Sequence, residues 1–539
     1  MGAQPETTLT SSADTAPVET TGMARAAALI AAGNVASRVL GLARETVIAN
    51  LFGATGLVSA FRVAQIIPTM LYDLLVGGMV SSALVPVFSE QAERDRVGLW
   101  HLASLILSLA VVVLGVIVLL IELATPQIAF LMAGGFEPEL LAATARLMRL
   151  TTPAVLFLSL SGIITGLLYA LKRFALPAFT AAVFNAVIVA TALTGALIWG
   201  WGIEALAVGL LLGAILQVAL QLPGLRDARL RFVFDLRHPA LRRIGKLYLP
   251  VILGLVISQI AIALDRNLAS RTGEQSIAWM QFATTIIQFP LGLISAAISL
   301  AILPTLSRLA STNGDTLNDF MDTLATGLRL VLVLTIPAAV ALFVMAQPVV
   351  ALLFQHGDFT GFDTQQTAVA LRLYLFGLTF AAIDQPLIFA FYARQNTLTP
   401  ALVGLLGVGF YLVAALLPSL ARPMQMTDLV LANSVQLTGH ALVMLWLVNR
   451  LAPLRGRGLE STTFKAVAAA TVMGLLLWLT LPFLQAQLPA DNLINEAALV
   501  GLLSLAGGGS YLLGLYLLRS QELTLLFSLL QRFVPKCHR

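Results

Sequence analysis

Long apolar stretches recur along the chain from residue 26 to residue 518, separated by short polar segments. Each stretch is close to the roughly 20 residues with which an α-helix crosses a hydrocarbon core of about 30 Å. The alternation of period two that is typical of membrane β-barrel strands is absent from the sequence. The pattern predicts about fourteen spanning helices, over residues 26–51, 59–88, 102–131, 145–170, 177–199, 203–222, 247–268, 277–306, 326–354, 366–392, 400–418, 428–448, 465–484 and 494–518.

Composition supports this interpretation. Of the 539 residues, 58% are hydrophobic and only 11% are charged, and the mean hydropathy is +0.90. Soluble domains carry about 25% charged residues. A chain with this little charge could not cover a soluble surface, so the sequence predicts an all-α polytopic membrane protein.

The two ends of the chain differ from the apolar stretches. Residues 1–22 contain no Lys or Arg and no apolar core, so they predict a disordered polar tail rather than a cleaved signal peptide. Residues 519–539 predict an amphipathic tail on the cytoplasmic face. The single cysteine, Cys537, excludes an intrachain disulfide and a cysteine-based metal site.

Basic residues are distributed very unevenly between the two predicted faces of the membrane. With fourteen spans, one face holds 22 Lys and Arg residues and the other holds 2. The positive-inside rule places the rich face, with both termini, in the cytoplasm. The net charge of +5 is therefore a matter of topology, and nucleic-acid binding is not expected.

An internal repeat divides the chain. Residues 60–89 match residues 278–307 at an offset of 218, and residues 169–178 match residues 392–401 at an offset of 223. One repeat is then about six helices, which predicts two parallel lobes around a central cavity. The predicted parts are an N-lobe (23–225), a basic cytoplasmic linker (226–246), a C-lobe (247–450) and two extra helices (451–518).

Charged and polar residues interrupt several of these spans. On the first predicted span, Asn34, Arg38 and Glu45 fall within about 40° of each other around a helix, and Arg44 precedes Glu45. A charge near the bilayer centre costs roughly 2.5–3.5 kcal/mol, so such residues indicate function or pairing. The remaining candidates on later spans are Arg62, Asp73, Asp265, Arg266, Thr284, Thr285, Gln288 and Asp384.

Two interpretations of these charges stay open. The first is structural, with helix-pinning pairs such as Arg38 with Glu45 or Arg62 with Asp73, and the same role is expected for Arg149 and Arg372. The second is a cavity for an anionic ligand, because arginines outnumber acids within the spans and the guanidinium fork fits phosphate.

The sequence carries no enzyme signature. The five histidines are scattered without metal-ligand spacing, and no GxxxxGK[ST] loop for ATP is present. We therefore expect a transporter with no cofactor and no metal, which draws on an ion gradient, the membrane potential or the gradient of its own ligand.

Several segments carry a family resemblance. "ASRVLGLARETVIANLFGA", "AFRVAQIIPTML" and "SSALVPVFSE" resemble the opening of the MurJ/MviN family of lipid II flippases, within the superfamily that includes the MATE exporters. "QFPLGLISAAISLAILPTLSR" and "FYARQNTLTPAL" are similar to later family segments. The resemblance runs from about residue 26 to residue 450.

The resemblance implies a flippase of the bacterial inner membrane that moves undecaprenyl-diphosphate-linked peptidoglycan precursor outward by alternating access. It assigns Arg38 and Arg44 to a cationic cavity for the diphosphate, with Glu45, Arg62 and Asn34 beside them. Ser59, Thr284, Thr285 and Gln288 stand where charged residues are common in the family. Asp73, Asp265, Arg266 and Asp384 are expected, with Thr284, Thr285 and Gln288, to serve coupling or line the cavity.

Other functions remain compatible with the sequence. The same architecture could move a different polyprenyl-diphosphate saccharide or a drug, although a cavity rich in arginine disfavours cationic drugs. A membrane scaffold without transport is the third alternative. Expected partners are the lipid-linked precursor, membrane lipids and, through the linker and tail, proteins of cell-wall synthesis.

Overall fold

The protein is helical throughout the part of the chain that the structure, a computed structural model, describes: residues 16–311, 316–489 and 492–524. The first helix begins at Ala16, inside the segment predicted as a polar tail. Residues 1–15 of that tail and residues 525–539 of the predicted amphipathic tail lie outside the described part of the chain.

Nine α-helices lie in the described part of the chain up to Gln221. Between α2 and α3 the helix continues through two π-helical turns, Asp73–Gly77 and Val80–Leu84. The helices are α1 (Ala16–Phe52), α2 (Gly56–Tyr72), α3 (Val85–Arg94), α4 (Arg96–Ala133), α5 (Pro138–Thr151), α6 (Ala154–Ala170), α7 (Ala175–Ala178), α8 (Thr180–Thr194) and α9 (Glu204–Gln221).

Ten more α-helices lie among the described residues from Pro239 onward. They are α10 (Pro239–Ser270), α11 (Ser276–Pro290), α12 (Ala296–Ser311), α13 (Leu317–Val344), α14 (Ala346–Phe354), α15 (Gly361–Ala393), α16 (Leu398–Leu416), α17 (Met426–Leu451), α18 (Leu459–Gln487) and α19 (Leu493–Leu517).

Eleven helical stretches of the described chain are long and apolar enough to cross a membrane, and a twelfth is α10 if its two arms, Pro239–Leu249 and Gly254–Ser270, form one bent span. The polytopic helical architecture is confirmed, but the count of fourteen is not. The two predicted spans that do not qualify are the first two, 26–51 and 59–88. The first carries three charges within eight residues. In the second, α2 has only 17 residues, with Pro68 inside it.

Two compact units divide the chain, and α1 contributes to both. The first unit comprises residues up to Arg44, Ile67–Leu123 and Arg149–Leu253. Its core is an apolar cluster that includes the fully buried Leu84, Phe88 and Leu99. The six-helix lobes and the linker boundaries stay predictions.

The second unit comprises Glu45–Ile66, Ala124–Met148 and the chain from Gly254 onward. Three buried rings mark its core: Phe282 lies 4.9 Å from Phe354 and 5.3 Å from Phe359, centroid to centroid. Such tilted and edge-on pairs are the geometry that aromatic rings favour.

Within this second unit, the end of α1 is held by a loop far along the chain. The backbone N–H of Asp358 donates a 3.0 Å hydrogen bond to the carbonyl of Asn50. Gly53 and Gly357 both adopt a left-handed backbone, with φ of +60° and +59°. A Cβ at Gly357 would lie 2.1 Å from the Asn50 carbonyl oxygen, so only glycine fits this contact.

The loop after α4 makes a similar contact with the end of α10. The N–H of Gly135 donates a 3.0 Å hydrogen bond to the Ser270 hydroxyl, and a Cβ at Gly135 would lie 2.6 Å from Arg271. In each case, a glycine loop of one predicted repeat closes on the first helix of the other repeat.

Candidate functional site

Arg44 in the first unit is oriented by a buried amide on α8. Its Nη1 donates a 3.1 Å hydrogen bond to Oδ1 of Asn185, and Nδ2 of Asn185 donates 3.2 Å to the carbonyl of Ser37. Asn185 is only 8% exposed. One amide therefore contacts α1 at two positions, about two helical turns apart, and fixes both the guanidinium and the helix that carries it.

Arg38 and Asn34 lie on the preceding turns of α1. Arg38 and Arg44 are half-buried, whereas Asn34 is exposed. Asn34 and Arg38 are four residues apart and therefore neighbours on one face of the helix. Two guanidinium groups and one amide, all hydrogen-bond donors, thus remain accessible on this stretch of α1.

Glu45 belongs to the second unit and forms a buried ion pair with Arg62 on α2. Their side chains are 2% and 3% exposed. Nη1 of Arg62 donates to Oε1 of Glu45 at 3.2 Å, and Nη2 donates to Oε2. The two parallel bonds are the strong fork geometry of an arginine and a carboxylate. The pairing of Glu45 with Arg62 is one that the sequence did not suggest, while the pairings of Arg38 with Glu45 and of Arg62 with Asp73 stay predictions.

Two aromatic rings flank the same guanidinium. The Cζ atom of Arg62 lies 5.8 Å from the ring centroids of Phe61 and Phe282. At that distance the quadrupole of each ring attracts the cation. The Glu45–Arg62 pair is thus in contact with two aromatic rings as well as joined by its own hydrogen bonds. Its burial favours a structural role, in which it holds α1 against α2.

Ser59 has a structural task on the same helix. Its fully buried hydroxyl accepts a 3.2 Å hydrogen bond from the N–H of Ala278, in the first turn of α11. The first N–H groups of a helix have no partner within the helix, and a side-chain oxygen satisfies one of them. Ser59 therefore caps α11 from a distant part of the sequence.

On α11 itself, the three predicted candidates form a polar stripe. The hydroxyls of Thr284 and Thr285 each donate a 2.9 Å hydrogen bond to the carbonyl of Gln281, and Gln288 is exposed. The stripe is neutral, so it cannot supply a fixed charge to a ligand or to an ion.

Asp265 and Arg266 on α10 join a network with α16. The Tyr411 hydroxyl donates a 2.6 Å hydrogen bond to Oδ1 of Asp265, and Nε of Arg266 lies 3.8 Å from its Oδ2. The carboxylate of Asp265 is therefore satisfied by a phenol and a cation at once.

Asp384 on α15 pairs with a histidine that sequence reasoning set aside. Nδ1 of His440, on α17, lies 2.9 Å from Oδ1 of Asp384, and both side chains are 13% exposed. Asp73, in the first unit, is exposed at the first residue of a π-helical turn. The contact between His440 and Asp384 therefore joins α15 to α17 through two half-buried polar side chains.

Sequence reasoning missed three further residues. Asn185 is a single amide in an apolar stretch and gives no signal of its own, and His440 counts in the sequence only as one of five scattered histidines, since its partner lies 56 positions away. Glu122 lies within the third predicted span, and its buried Oε1 accepts no hydrogen bond among the described residues. A search for every carboxylate in the apolar spans would have found Glu122.

The described residues contain no group of three or more His, Cys, Asp or Glu that could hold a metal ion. The candidate site on α1 instead contains guanidinium and amide groups that donate hydrogen bonds. These groups bind anions through charge-assisted hydrogen bonds, and they neither transfer groups nor activate water.

Comparison with known proteins identifies the family. A sequence model described as "Lipid II flippase MurJ" matches residues 48–495. A probable lipid II flippase MurJ of Haemophilus influenzae is 30% identical over 87% of this chain and 95% of its own length. The lipid II flippase MurJ of Burkholderia cenocepacia is 31% identical over 71% of this chain and 75% of its own length.

Solved structures agree on the fold. A lipid II flippase MurJ in an inward closed conformation is similar with a TM-score of 0.76 and 24% identity, over 90% of this chain and 97% of that chain. An inward-facing multidrug transporter of the MATE family is similar with a TM-score of 0.65 and 15% identity, over 78% and 95% of the two chains. Since the family model covers most of the sequence, the chain belongs to the MurJ family of lipid II flippases, multi-pass transporters of the bacterial inner membrane.

Proposed function

We propose that this protein moves lipid II from the inner to the outer leaflet, and that Arg38 and Arg44 hold its diphosphate. One observation carries the assignment to α1: two half-buried guanidinium groups lie within seven residues of each other on this helix, in the stretch 26–51 that the sequence predicts to span the membrane. A site that solvates these charges and receives a diphosphate offsets the cost of carrying them in the membrane. The names of the relatives supply the substrate.

The residues around the two arginines have separate tasks in this proposal. Asn185 holds the Arg44 guanidinium in one orientation, so less side-chain freedom is lost when the diphosphate binds. Asn34, on the face of Arg38, supplies an amide donor for the phosphate oxygens or the first sugar. Glu45 and Arg62 brace α1 against α2 and keep the carboxylate of Glu45 away from the anionic ligand.

Coupling is proposed to reside in the second unit. The contact of Asp384 with His440 and the ion pair of Asp265 with Arg266 can each break and form again when an ion binds or leaves. Either event shifts the balance between two conformations only if the pair is more stable in one of them. Asp73, Thr284, Thr285 and Gln288 are proposed to line the path without carrying the coupling charge.

The proposed orientation in the membrane and the proposed partner proteins are those that the sequence predicts. Both termini and the basic linker are proposed to face the cytoplasm, where the linker and tail are available to proteins of cell-wall synthesis. Alternating access, driven by an ion gradient or by the membrane potential, is the proposed mode of transport.

The test is translocation of fluorescent lipid II in proteoliposomes by wild type and by the Arg38→Ala/Arg44→Ala variant. We expect at least a tenfold loss of rate in the variant. The matched control is Arg394→Ala, which removes an exposed arginine at the end of α15. Equal activity of wild type and the double variant would refute the α1 site. A folded wild type that flips another polyprenyl-diphosphate saccharide but not lipid II would refute the substrate.

A further inference from the structure

The basic linker contains a segment that is fixed to the first unit by its backbone. The N–H of Arg231 donates a 3.0 Å hydrogen bond to the hydroxyl of Ser104, and the N–H of Val233 donates 3.1 Å to the hydroxyl of Ser108. Both serines are buried on α4. The segment that contains these two residues, 229–237, is called the linker segment below.

The spacing of these two bonds defines the shape of the chain. Ser104 and Ser108 are four helical residues apart, which is about 6 Å along α4. Arg231 and Val233 are two residues apart, and two residues of extended chain cover about 6.5 Å. The match requires an extended backbone, so side chains at even and odd positions point in opposite directions.

Just before the linker segment, an ion pair fixes the chain a second time. Asp227 accepts hydrogen bonds of 2.6 and 2.9 Å from the two terminal nitrogens of Arg173, and Arg96 lies 3.8 Å from the same carboxylate. The linker is thus held at three places, and its side chains are presented in a set pattern.

That pattern is amphipathic. The even positions carry large apolar side chains that are left outside the protein: Leu230 is 41% exposed, Phe232 72% and Phe234 54%. The odd positions begin with the exposed Arg229 and Arg231. Seven basic residues and only two acids lie in residues 226–246, and one of the acids, Asp227, is occupied by arginines outside the linker.

The position of Ser104 along α4 indicates which environment the exposed side chains of the linker segment meet. The helix has 38 residues and is therefore about 57 Å long, roughly 27 Å more than a hydrocarbon core. Ser104 is about 12 Å from its first residue, where such a helix passes from the headgroup layer into the hydrocarbon. Aromatic and aliphatic side chains at that depth meet acyl chains, and arginines beside them meet phosphate.

We propose that the linker segment is a binding surface for anionic phospholipid. Phe232 and Phe234 insert between acyl chains, and Arg229, Arg231 and Arg237 contact the headgroup phosphate. This surface is separate from the proposed diphosphate site on α1, and it does not depend on the substrate being lipid II. Because Ser104 and Ser108 fix the backbone, less of the linker segment has to be ordered when the lipid binds.

The experiment is native mass spectrometry of the full chain, released from neutral detergent with phosphatidylglycerol or phosphatidylcholine. We expect wild type to retain phosphatidylglycerol about tenfold more tightly than phosphatidylcholine. The variant Arg229→Gln/Arg231→Gln/Arg237→Gln should lose this preference. The control, Arg394→Gln/Arg450→Gln/Arg455→Gln, removes the same charge from other exposed positions and should keep it.

A second variant tests the backbone anchor. Ser104→Ala/Ser108→Ala leaves every linker side chain in place, and we expect it to weaken phosphatidylglycerol retention while the protein stays monodisperse. Equal losses in the two triple arginine variants would show attraction by net charge alone and overturn the proposal. Retention of lipid II instead of phosphatidylglycerol would assign the surface to the substrate and overturn it as well.

Discussion

Removing one member of the Glu45–Arg62 pair should destabilise the protein far more than removing both. Arg62→Met removes both hydrogen bonds that this arginine donates to the buried Glu45 carboxylate, and breaking a buried pair costs about 3–5 kcal/mol. The lost contacts with Phe61 and Phe282 add about 0.5–1 kcal/mol each. The single variant should therefore lose roughly 4–7 kcal/mol.

The double variant Glu45→Leu/Arg62→Met replaces the pair by apolar groups. Such a replacement is often neutral or stabilising, so most of the loss should be recovered. The assay is reversible unfolding of the full chain in mixed micelles of increasing SDS content, followed by circular dichroism, and analysed as a double-mutant cycle.

A matched control comes from an exposed pair. Nη2 of Arg94 lies 2.8 Å from Oε1 of Glu90, and these two side chains are 73% and 32% exposed, so Arg94→Met should cost far less than Arg62→Met. The reasoning fails if Arg62→Met costs no more than this control. It also fails if the double variant is less stable than either single variant, because the two residues would then act independently.

Two further predictions concern other contacts. Asn185→Asp places a carboxylate against the Arg44 guanidinium, and we expect it to weaken the binding of lipid II at least tenfold in an equilibrium titration. Asn185→Ala should lose less affinity than Asn185→Asp. Equal affinities of wild type and the two variants would refute the role of this amide. The hydrogen bond from Arg173 lowers the pKa of the Asp227 carboxyl. A carboxyl with a lowered pKa stabilises the folded state at pH values above its pKa in the unfolded chain, about 3.9, and this stabilisation is lost as the pH falls through its pKa in the folded protein. In SDS unfolding, the extra stability of wild type over Asp227→Asn should therefore shrink between about pH 5 and pH 3.

The spans that could be predicted from the sequence are those whose apolar runs are continuous. Eleven helices of the described chain pass as membrane spans at the predicted places, because a long apolar run needs no tertiary information to become a helix in lipid. The first two predicted spans do not pass the same test. Their charges and Pro68 lower the apolar signal, and only a tertiary partner such as Arg62 makes Glu45 tolerable there.

Partners across helices were beyond the reach of sequence spacing. Helical periodicity grouped Glu45 with Arg38, on its own helix, but could not pair it with Arg62 on the next one. His440 and Asp384 lie on different helices, and so do Ser59 and Ala278. Periodicity gives the direction of a side chain around its helix, whereas the neighbour it meets depends on how the helices pack.

The glycine contact at the end of α1 has a consequence for biosynthesis. Asn50 receives its hydrogen bond from Asp358, a residue that the ribosome adds about 300 positions later. At roughly 5–20 residues per second, α1 waits about 15–60 s in the membrane before its final partner exists. During that interval, six or more further spans are inserted around an unfinished first helix. A chain truncated before residue 358 therefore lacks the loop that completes this end of α1.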